Sequence, residues 1–276
     1  MFDDPRGCEA GERMASARPF VPVERLAGRP DAGVLLLCDH AANHLPPAYG
    51  TLGLSREDLE SHIAFDIGAA DITRRLAERL EAPAVLTRFS RLLIDANRGE
   101  DDPTLVMQLS DRRIIPGNAR IDRAEIDARR RRYWQPYRDA IGEMIAAMSA
   151  QSPIPAVVSL HTFTPMWRGV PRPWQVAALW DSDARLACPL IAALAAEGFL
   201  VGDNEPYDGA LRGDTLYDQV TRRGLAGVLI EIRQDLVDTA GQARAFADRL
   251  ADILKPILAR PEMHMIGNLA SRTDAA

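Results

Sequence analysis

Three short apolar runs, each leading into a polar side chain, constrain the fold of this chain more than any other feature. The runs are Val34–Cys38, 156–160 and 228–230, and the polar side chains that follow them are those of His40, His161 and Glu231. Short apolar runs of this kind are typical of the central strands of a parallel β-sheet. Ligands of open α/β sheets bind beyond the carboxyl ends of such strands. The sequence therefore predicts a functional site at this edge of a sheet.

Predicted helices and strands alternate along the rest of the chain. Amphipathic helical patterns cover about 67–81, 121–150, 184–196 and 239–258. Further strands are predicted at 84–87, 91–95, 175–180 and 199–201, with 91–95 as a hairpin partner of 84–87. This alternation predicts an α/β fold with a mixed, mostly parallel sheet flanked by helices.

No linker rich in proline, glycine or serine divides the 276 residues. Residues 19–260 are therefore predicted to form a single domain, and the two ends, 1–18 and 261–276, are predicted to be flexible tails. The three cysteines, Cys8, Cys38 and Cys188, are too few and too scattered for a disulfide framework.

Charge and hydropathy argue against several classes of partner. The net charge of −6 argues against nucleic acid, and the basic run at 129–132 lies among acidic residues, so it is interpreted as a solvated helix face. No stretch approaches the roughly 18 apolar residues of a membrane span. The polar segment 1–18 does not resemble a secretory signal. We therefore expect a cytoplasmic protein that acts on a small molecule.

The two histidines at strand ends suggest a metal site. A hydrolytic metal site needs about three protein ligands and one open position, and His40 and His161 would supply two imidazoles. Asp66 is the candidate third ligand, although an aspartate at the start of a helix is also a preferred N-cap. Asn43 and His44, three and four residues after His40, are alternative ligands.

Glu231 has the sequence context of a catalytic base. It lies between apolar residues at a strand end, where desolvation raises the pKa of a carboxylate and a neighbouring cation lowers it. Such a group suits proton transfer from a water molecule activated by a metal. Arg233, two residues on, points to the same side of the strand. It is interpreted either as the partner of Glu231 in a buried ion pair or as a second group facing the same pocket.

Asn97 and Arg98 form a second group of functional candidates. A guanidinium beside a side-chain amide holds a carboxylate through a bidentate pair and one further hydrogen bond. The alternative is a turn with a solvated arginine. Arg88, Arg91 and Arg172 are further candidates for anion binding.

Five segments, in chain order, together resemble the N-formylglutamate amidohydrolase family. They are 38–46 (CDHAANHLP), 62–69 (HIAFDIGA), 159–165 (SLHTFTP), 202–207 (GDNEPY) and 230–236 (IEIRQDL). The family looks related to zinc carboxypeptidases, aspartoacylases and zinc-dependent peptidoglycan amidases. The resemblance implies a three-layer, phosphorylase/hydrolase-like α/β fold around one zinc ion.

The resemblance also implies roles for individual residues. His40, Asp66 and His161 fit the order of the zinc ligands in the peptidoglycan amidases, and Glu231 fits the catalytic glutamate. Asn43 stands where the carboxypeptidases have a ligating glutamate. It is therefore expected to bind substrate unless it replaces Asp66 at the metal.

Asn97 and Arg98 look like the pair that holds the substrate carboxylate in the carboxypeptidase and aspartoacylase relatives, and Arg233 is expected to assist them. The implied function is a zinc-dependent amidohydrolase for an N-acyl acidic amino acid, foremost N-formylglutamate, with formate and glutamate as products. An amidase for another N-acyl amino acid, or a carboxylate-binding protein without turnover, is the alternative.

Overall fold

Eleven strands lie in the part of the chain that the structure, a computed structural model, describes, which is residues 20–151 and 153–274. They are β1 (Val23–Leu26), β2 (Val34–Cys38), β3 (Ala84–Thr87), β4 (Leu109–Ser110), β5 (Arg113–Ile114), β6 (Ala156–Phe163), β7 (Met166–Trp167), β8 (Val170–Pro171), β9 (Val176–Leu179), β10 (Val201–Asp203) and β11 (Gly227–Arg233). The predicted tail 1–18 and Cys8 lie outside the described residues.

Seven of these strands form one mixed sheet in the order β1-β3-β2-β6-β11-β9-β10. β3, β2, β6 and β11 run parallel to one another, and so do β9 and β10. The two antiparallel contacts are β1 with β3 and β11 with β9. β4 pairs with β5, and β7 pairs with β8, as two short hairpins outside the sheet.

Seven α-helices flank the sheet or connect its strands. They are α1 (Arg56–Leu59), α2 (Ala69–Leu80), α3 (Arg123–Arg129), α4 (Gln135–Ser149), α5 (Ala184–Ala196), α6 (Thr215–Gln219) and α7 (Ala240–Leu258). A π-helical segment, Arg130–Trp134, joins α3 to α4 directly before Pro136. None of the helices in the described residues is long and apolar enough to cross a membrane.

The alternation of side chains along β2 shows why the fold has three layers. Leu36 and Cys38 point to one face of the sheet and pack in a core with α2, α5 and α7. Leu35 and Leu37 point to the other face and pack in a core with α4. Because both faces are covered, every residue of β2 is buried. The predicted α/β architecture, a mostly parallel sheet between helices, is confirmed.

The predicted hairpin partner of β3 was wrong. Residues 91–95 form no strand, and the antiparallel partner of β3 is β1, which was not predicted. The segment 91–95 is instead a buried loop whose backbone bonds to other loops: Arg91 N donates to Ala64 O at 3.2 Å and Asp95 N donates to Leu105 O at 2.7 Å. A short apolar run is compatible with a buried loop as well as with a strand, so its pattern alone did not distinguish them.

The C-terminal segment 261–274 contacts the body of the protein at several points. Met263 is buried in the core beside α7, and Arg272 Nη2 donates to Trp180 O at 2.8 Å. Ser271 is buried as well. The division into one domain with flexible ends stays a prediction.

Candidate functional site

The parallel sheet brings the three polar strand ends together at one edge. His40 follows β2, His161 lies near the end of β6, and Glu231 lies near the end of the neighbouring strand β11. In the register of β6 and β11, Glu231 is paired directly with His161. Paired residues of neighbouring strands project their side chains from the same face of the sheet. The meeting of His161 and Glu231 is therefore a direct result of strand register, and His40 joins them from the residues just beyond the end of β2, the other neighbour of β6.

Asp66 reaches the same place from the loop before α2. Its backbone N donates to His40 O at 3.0 Å, and its Oδ2 accepts a hydrogen bond from Thr162 N at 3.2 Å. The N-cap of α2 is Gly68 and not Asp66, and Gly68 has a φ of 83°. A Cβ at Gly68 would lie 2.4 Å from Val237 O, so only glycine fits this turn. The carboxylate of Asp66 thus faces the histidines and does not cap the helix.

His40, Asp66 and His161 form a buried group with the spacing of a metal site. Asp66 Oδ2 lies 3.4 Å from His40 Nδ1 and 3.0 Å from His161 Nδ1, and one ligand atom from each residue lies within 4.8 Å of the others. Ligands at about 2.0–2.2 Å from a tetrahedral zinc ion are about 3.3–3.6 Å apart. His40 Nδ1 is buried and has no hydrogen-bond partner among the described residues. These three residues therefore fit a zinc ion.

The other nitrogen of each histidine is held by a buried carboxylate. His40 Nε2 lies 2.6 Å from Asp95 Oδ1, and His161 Nε2 lies 2.8 Å from Asp39 Oδ2. Because an ionised carboxylate only accepts hydrogen bonds, each Nε2 carries a proton, and Nδ1 is in both rings the nitrogen that faces Asp66. Metal-binding histidines are commonly oriented by carboxylates in this way.

The pKa values of the two carboxylates agree with their ionised state. Burial by itself raises the pKa of Asp39, but the hydrogen bond and charge of His161 outweigh it and bring the pKa to about 2. Burial by itself also raises the pKa of Asp95, but the charges of Arg91 and His40 outweigh it and hold that pKa well below its usual value. Asp39 also accepts hydrogen bonds from the hydroxyls of Thr215 at 2.6 Å and Ser159 at 2.9 Å.

Glu231 has the properties of a proton acceptor. Burial raises its pKa to about 7, against the opposing charge of His161. Its Oε2 is buried without a hydrogen-bond partner among the described residues. Arg233 does not neutralise it, since the Arg233 guanidinium binds Asp235 at 2.8 and 3.2 Å. The predicted alternative of an ion pair between Glu231 and Arg233 is wrong.

A cavity of about 360 Å³ lies over these residues. Its floor includes His40, Asp66, His161 and Glu231. Its walls come from connecting segments and from the hairpins, and they include Ser110, Trp167, Tyr207 and Asp214. The volume suits a ligand of the size of an amino acid derivative.

Asn97 and Arg98 line this cavity, as a substrate-binding pair must. Asn97 is fixed by its backbone N, which donates to Asp95 Oδ1 at 2.9 Å, and by its Oδ1, which accepts from Thr215 N at 3.1 Å. The carbonyl of Arg98 accepts a hydrogen bond from Trp134 Nε1 at 3.0 Å. The backbone of both residues is therefore held in place.

Three other predicted residues, Asn43, His44 and Arg233, do not line the cavity. Asn43 Nδ2 donates to Leu59 O at 2.8 Å, and Asn43 does not line the cavity. His44 is exposed and stacks on Phe20 with 5.0 Å between ring centroids. Arg233 is also absent from the cavity lining, because its Nη1 donates to backbone carbonyls of 172–174. The substrate contacts predicted for Asn43 and Arg233 are therefore not supported by their positions.

Sequence reasoning missed two polar residues of the site, Asp39 and Asp95, and it proposed Arg91 only as one of several candidates for anion binding. Asp39 and Asp95 orient the histidines, and Arg91 lines the cavity while its Nη2 binds Asp95 Oδ2 at 2.8 Å. Asp39 stands directly before His40 at a strand end, and this position could have indicated that Asp39 belongs to the site. Asp95 and Arg91 come from the loop mistaken for a strand, so no local pattern indicated that Asp95 would meet His40.

Comparison with known proteins adds an independent result. The sequence profile of the N-formylglutamate amidohydrolase family matches residues 32–237. The crystal structure of gene product Atu2144 from Agrobacterium tumefaciens is 36% identical, with a TM-score of 0.81 over 86% of this chain and 95% of that chain. The N-formylglutamate amidohydrolase of Ralstonia eutropha JMP134 is 18% identical, with a TM-score of 0.66 over 87% of this chain and 96% of that chain, which indicates the same fold. No curated protein sequence matches this chain.

Proposed function

Because the chain belongs to the N-formylglutamate amidohydrolase family, we propose that it hydrolyses the amide bond of an N-acylated acidic amino acid in a zinc-dependent reaction. The foremost substrate is N-formylglutamate, and the products are formate and glutamate. Membership of this family makes the chain a hydrolase of amide bonds. The acyl group, the amino acid and the metal are the parts that we propose here.

One observation carries the proposal. Among the described residues, His40 Nδ1 and Glu231 Oε2 are two of three buried atoms without a hydrogen-bond partner whose residues line the same cavity, and the third is His62 Nε2, which lies 3.4 Å from Asp111 Oδ2. A buried polar atom that makes no hydrogen bond costs free energy and calls for an explanation. A cation at His40, Asp66 and His161 accounts for the first atom, and a water molecule that donates a proton accounts for the second.

His40, Asp66 and His161 would hold zinc through two neutral imidazoles and one carboxylate, with the open position that catalytic zinc sites keep. When bound there, the ion supplies Lewis-acid chemistry, which polarises the amide carbonyl and makes the attacking water more acidic. Asp39 and Asp95 keep the two imidazoles in the tautomer and orientation that binding requires.

Glu231 acts as the general base and then as the general acid. With a pKa of about 7, its carboxylate accepts a proton from the attacking water near neutral pH and can return it to the leaving amine. The buried Oε2 is the atom that takes the proton. Because this side chain lies on a central strand, its position is fixed before the substrate arrives.

The arginine and asparagine side chains of the cavity bind or stabilise the negatively charged groups of the substrate. Arg91 is oriented by Asp95, and its guanidinium stabilises the negative charge that develops on the carbonyl oxygen during attack. Asn97 and Arg98 bind the α-carboxylate of the amino acid. Oxygen of the water ends in formate, and the proton passed through Glu231 ends on the amine of glutamate.

A substrate panel tests this function. The purified protein, loaded with one equivalent of zinc, is assayed against N-formyl, N-acetyl and N-succinyl derivatives of glutamate and aspartate. We expect the highest kcat/KM for N-formylglutamate and loss of turnover after chelation, with recovery on adding zinc. Turnover of a different acyl group would instead identify another amidase. A chain that binds these acids but cleaves none of them, with or without zinc, would contradict the proposed reaction.

The orienting carboxylate Asp39 gives a prediction about metal affinity. Asp39→Asn keeps the shape of the side chain but removes the charge that holds His161 Nε2. We expect the affinity for zinc to fall by about 10- to 100-fold, measured by competition with a chelator. The matched control is Asp248→Asn, because Asp248 is a carboxylate that binds Arg75 and Arg79 away from the cavity. Equal affinities of the two variants would mean that Asp39 does not support a metal ligand.

A further inference from the structure

Arg172 is a buried guanidinium near the cavity for which the reaction above has no use. The residue is 8% exposed. Within residues 20–151 and 153–274 it forms no salt bridge, and its side chain donates only two long hydrogen bonds, at 3.4 Å, from Nη1 to the carbonyl and the hydroxyl of Thr164. An arginine has five N–H donors. Most of its hydrogen-bonding capacity is therefore unused, and Nε and Nη2 are not among the fully buried atoms without a partner, so they keep some contact with solvent.

Three aromatic rings surround this guanidinium. Its Cζ lies 5.2 Å from the ring centroids of Trp167 and Tyr207 and 5.6 Å from that of Phe163. Cation–π contacts lower the cost of burying the charge, but they do not replace an anion in the plane of the guanidinium. Trp167 and Tyr207 line the cavity, so the charge of Arg172 stands directly behind the cavity wall.

The position of Arg172 is fixed by a second arginine. Arg233 Nη1 donates to the carbonyl of Arg172 at 3.1 Å, and Arg233 is itself held by Asp235 at 2.8 and 3.2 Å. The backbone N of Arg172 donates to Pro165 O at 2.9 Å. Arg233, which the sequence suggested as a substrate ligand, thus positions the loop that carries Arg172.

The charge of Arg172 acts on a residue inside the cavity. Burial is the main reason why the pKa of His62 is low, Asp111 opposes the shift, and the charges of Arg91 and Arg172 add to it. His62 lines the cavity. The cavity therefore contains a positive potential at His62 that is separate from the pair Asn97 and Arg98.

From these contacts we propose that Arg172 is the specificity-determining residue of a second anion subsite, which receives the side-chain carboxylate of the substrate. This inference rests on the proposed amidohydrolase function. The α-carboxylate binds Asn97 and Arg98, and the second carboxylate binds the accessible nitrogens of the Arg172 guanidinium, beside the rings of Trp167 and Tyr207. The enzyme is then selective for N-acyl amino acids with two carboxylates.

The test compares two substrates of nearly the same shape, N-formylglutamate and N-formylglutamine, which differ in the charge of the side chain. The quantity measured is the ratio of their kcat/KM values. We expect a ratio well above one for the wild type. In Arg172→Met the ratio should fall by about 10- to 100-fold, which is typical of a lost hydrogen bond to a charged group, and most of the fall should appear in KM for N-formylglutamate.

Two further variants make the result specific. Arg168→Met removes an exposed arginine of the same hairpin and should leave the ratio at its wild-type value. Arg172→Lys keeps the charge but loses the planar fork, so its ratio should lie between those of the wild type and Arg172→Met. If Arg172→Met is insoluble, the comparison of Arg172→Lys with the wild type decides the question. A ratio in the Arg172 variants equal to that of the wild type overturns the proposal.

Failure of the proposed function gives a different outcome. If the wild type cleaves neither substrate, the subsite is measured by calorimetric binding of glutarate and of butyrate, which carry two charges and one charge. Tighter binding of glutarate that is lost in Arg172→Met supports the subsite even without turnover. Equal binding of the two acids by the wild type contradicts it.

Discussion

Glu231→Gln is expected to lower kcat by about 10²- to 10⁴-fold, the usual contribution of a general acid or base. The amide has nearly the same shape as the carboxylate, but it cannot accept the proton of the attacking water. Zinc content should stay at one ion per chain, because Glu231 is not among the three residues that would hold the metal. KM for N-formylglutamate should change little, since the cations that bind the substrate are untouched. Steady-state kinetics and metal analysis of the same preparation give both quantities.

The control for this variant is Glu205→Gln, which makes the same change in the loop between β10 and α6 at a residue that does not line the cavity. It should have wild-type kcat. If Glu231→Gln retained both zinc and near-normal turnover, another group would have to transfer the proton. Asp214 is then the next carboxyl to test, because it lines the cavity and burial raises its pKa to about 7.

His161→Ala should abolish stoichiometric zinc binding and turnover together. The change removes one of the two imidazoles that face Asp66, and two protein ligands do not make a closed catalytic zinc site. The loss of metal affinity should exceed the 10- to 100-fold effect of an orienting carboxylate. The fold should persist, since Asp39 keeps its hydrogen bonds from Ser159 and Thr215. Metal content per chain and circular dichroism measure the two properties separately.

The matched control for this second variant is His44→Ala. His44 is an exposed histidine that the sequence left open as an alternative ligand, and it stacks on Phe20 away from Asp66. The His44 variant should bind zinc like the wild type. Full zinc occupancy in His161→Ala, or loss of zinc in His44→Ala, would require a different set of ligands.

Sequence reasoning located the residues that the sheet itself positions. His40, His161 and Glu231 follow apolar runs, and a parallel sheet places the carboxyl ends of its strands at one edge. Their meeting could therefore be predicted without coordinates. The fold class could be predicted for the same reason, because alternating helices and strands permit few other arrangements.

The residues that loops position could not be located in this way. Asp95 approaches His40 from a buried loop whose apolar pattern resembles that of a strand. Arg233 lies at the end of the predicted strand, β11. Whether its side chain contacts the substrate or the backbone carbonyls of 172–174 depends on the path of the loop that contains those carbonyls. Contacts between distant loops leave no period in the sequence, so the sequence could name Arg172 only as one of several anion-binding candidates and could not predict the backbone contacts of Arg233.

The two small hairpins affect how an enzyme of this kind can change its substrate specificity. His40, His161 and Glu231 lie at the carboxyl edge of the sheet, where shifting β11 by one residue would turn Glu231 to the opposite face. The walls come partly from the hairpins β4–β5 and β7–β8, which lie outside the sheet. Evolution or protein engineering can therefore replace these hairpins so that the cavity binds other acids. The residues at the floor of the cavity stay the same.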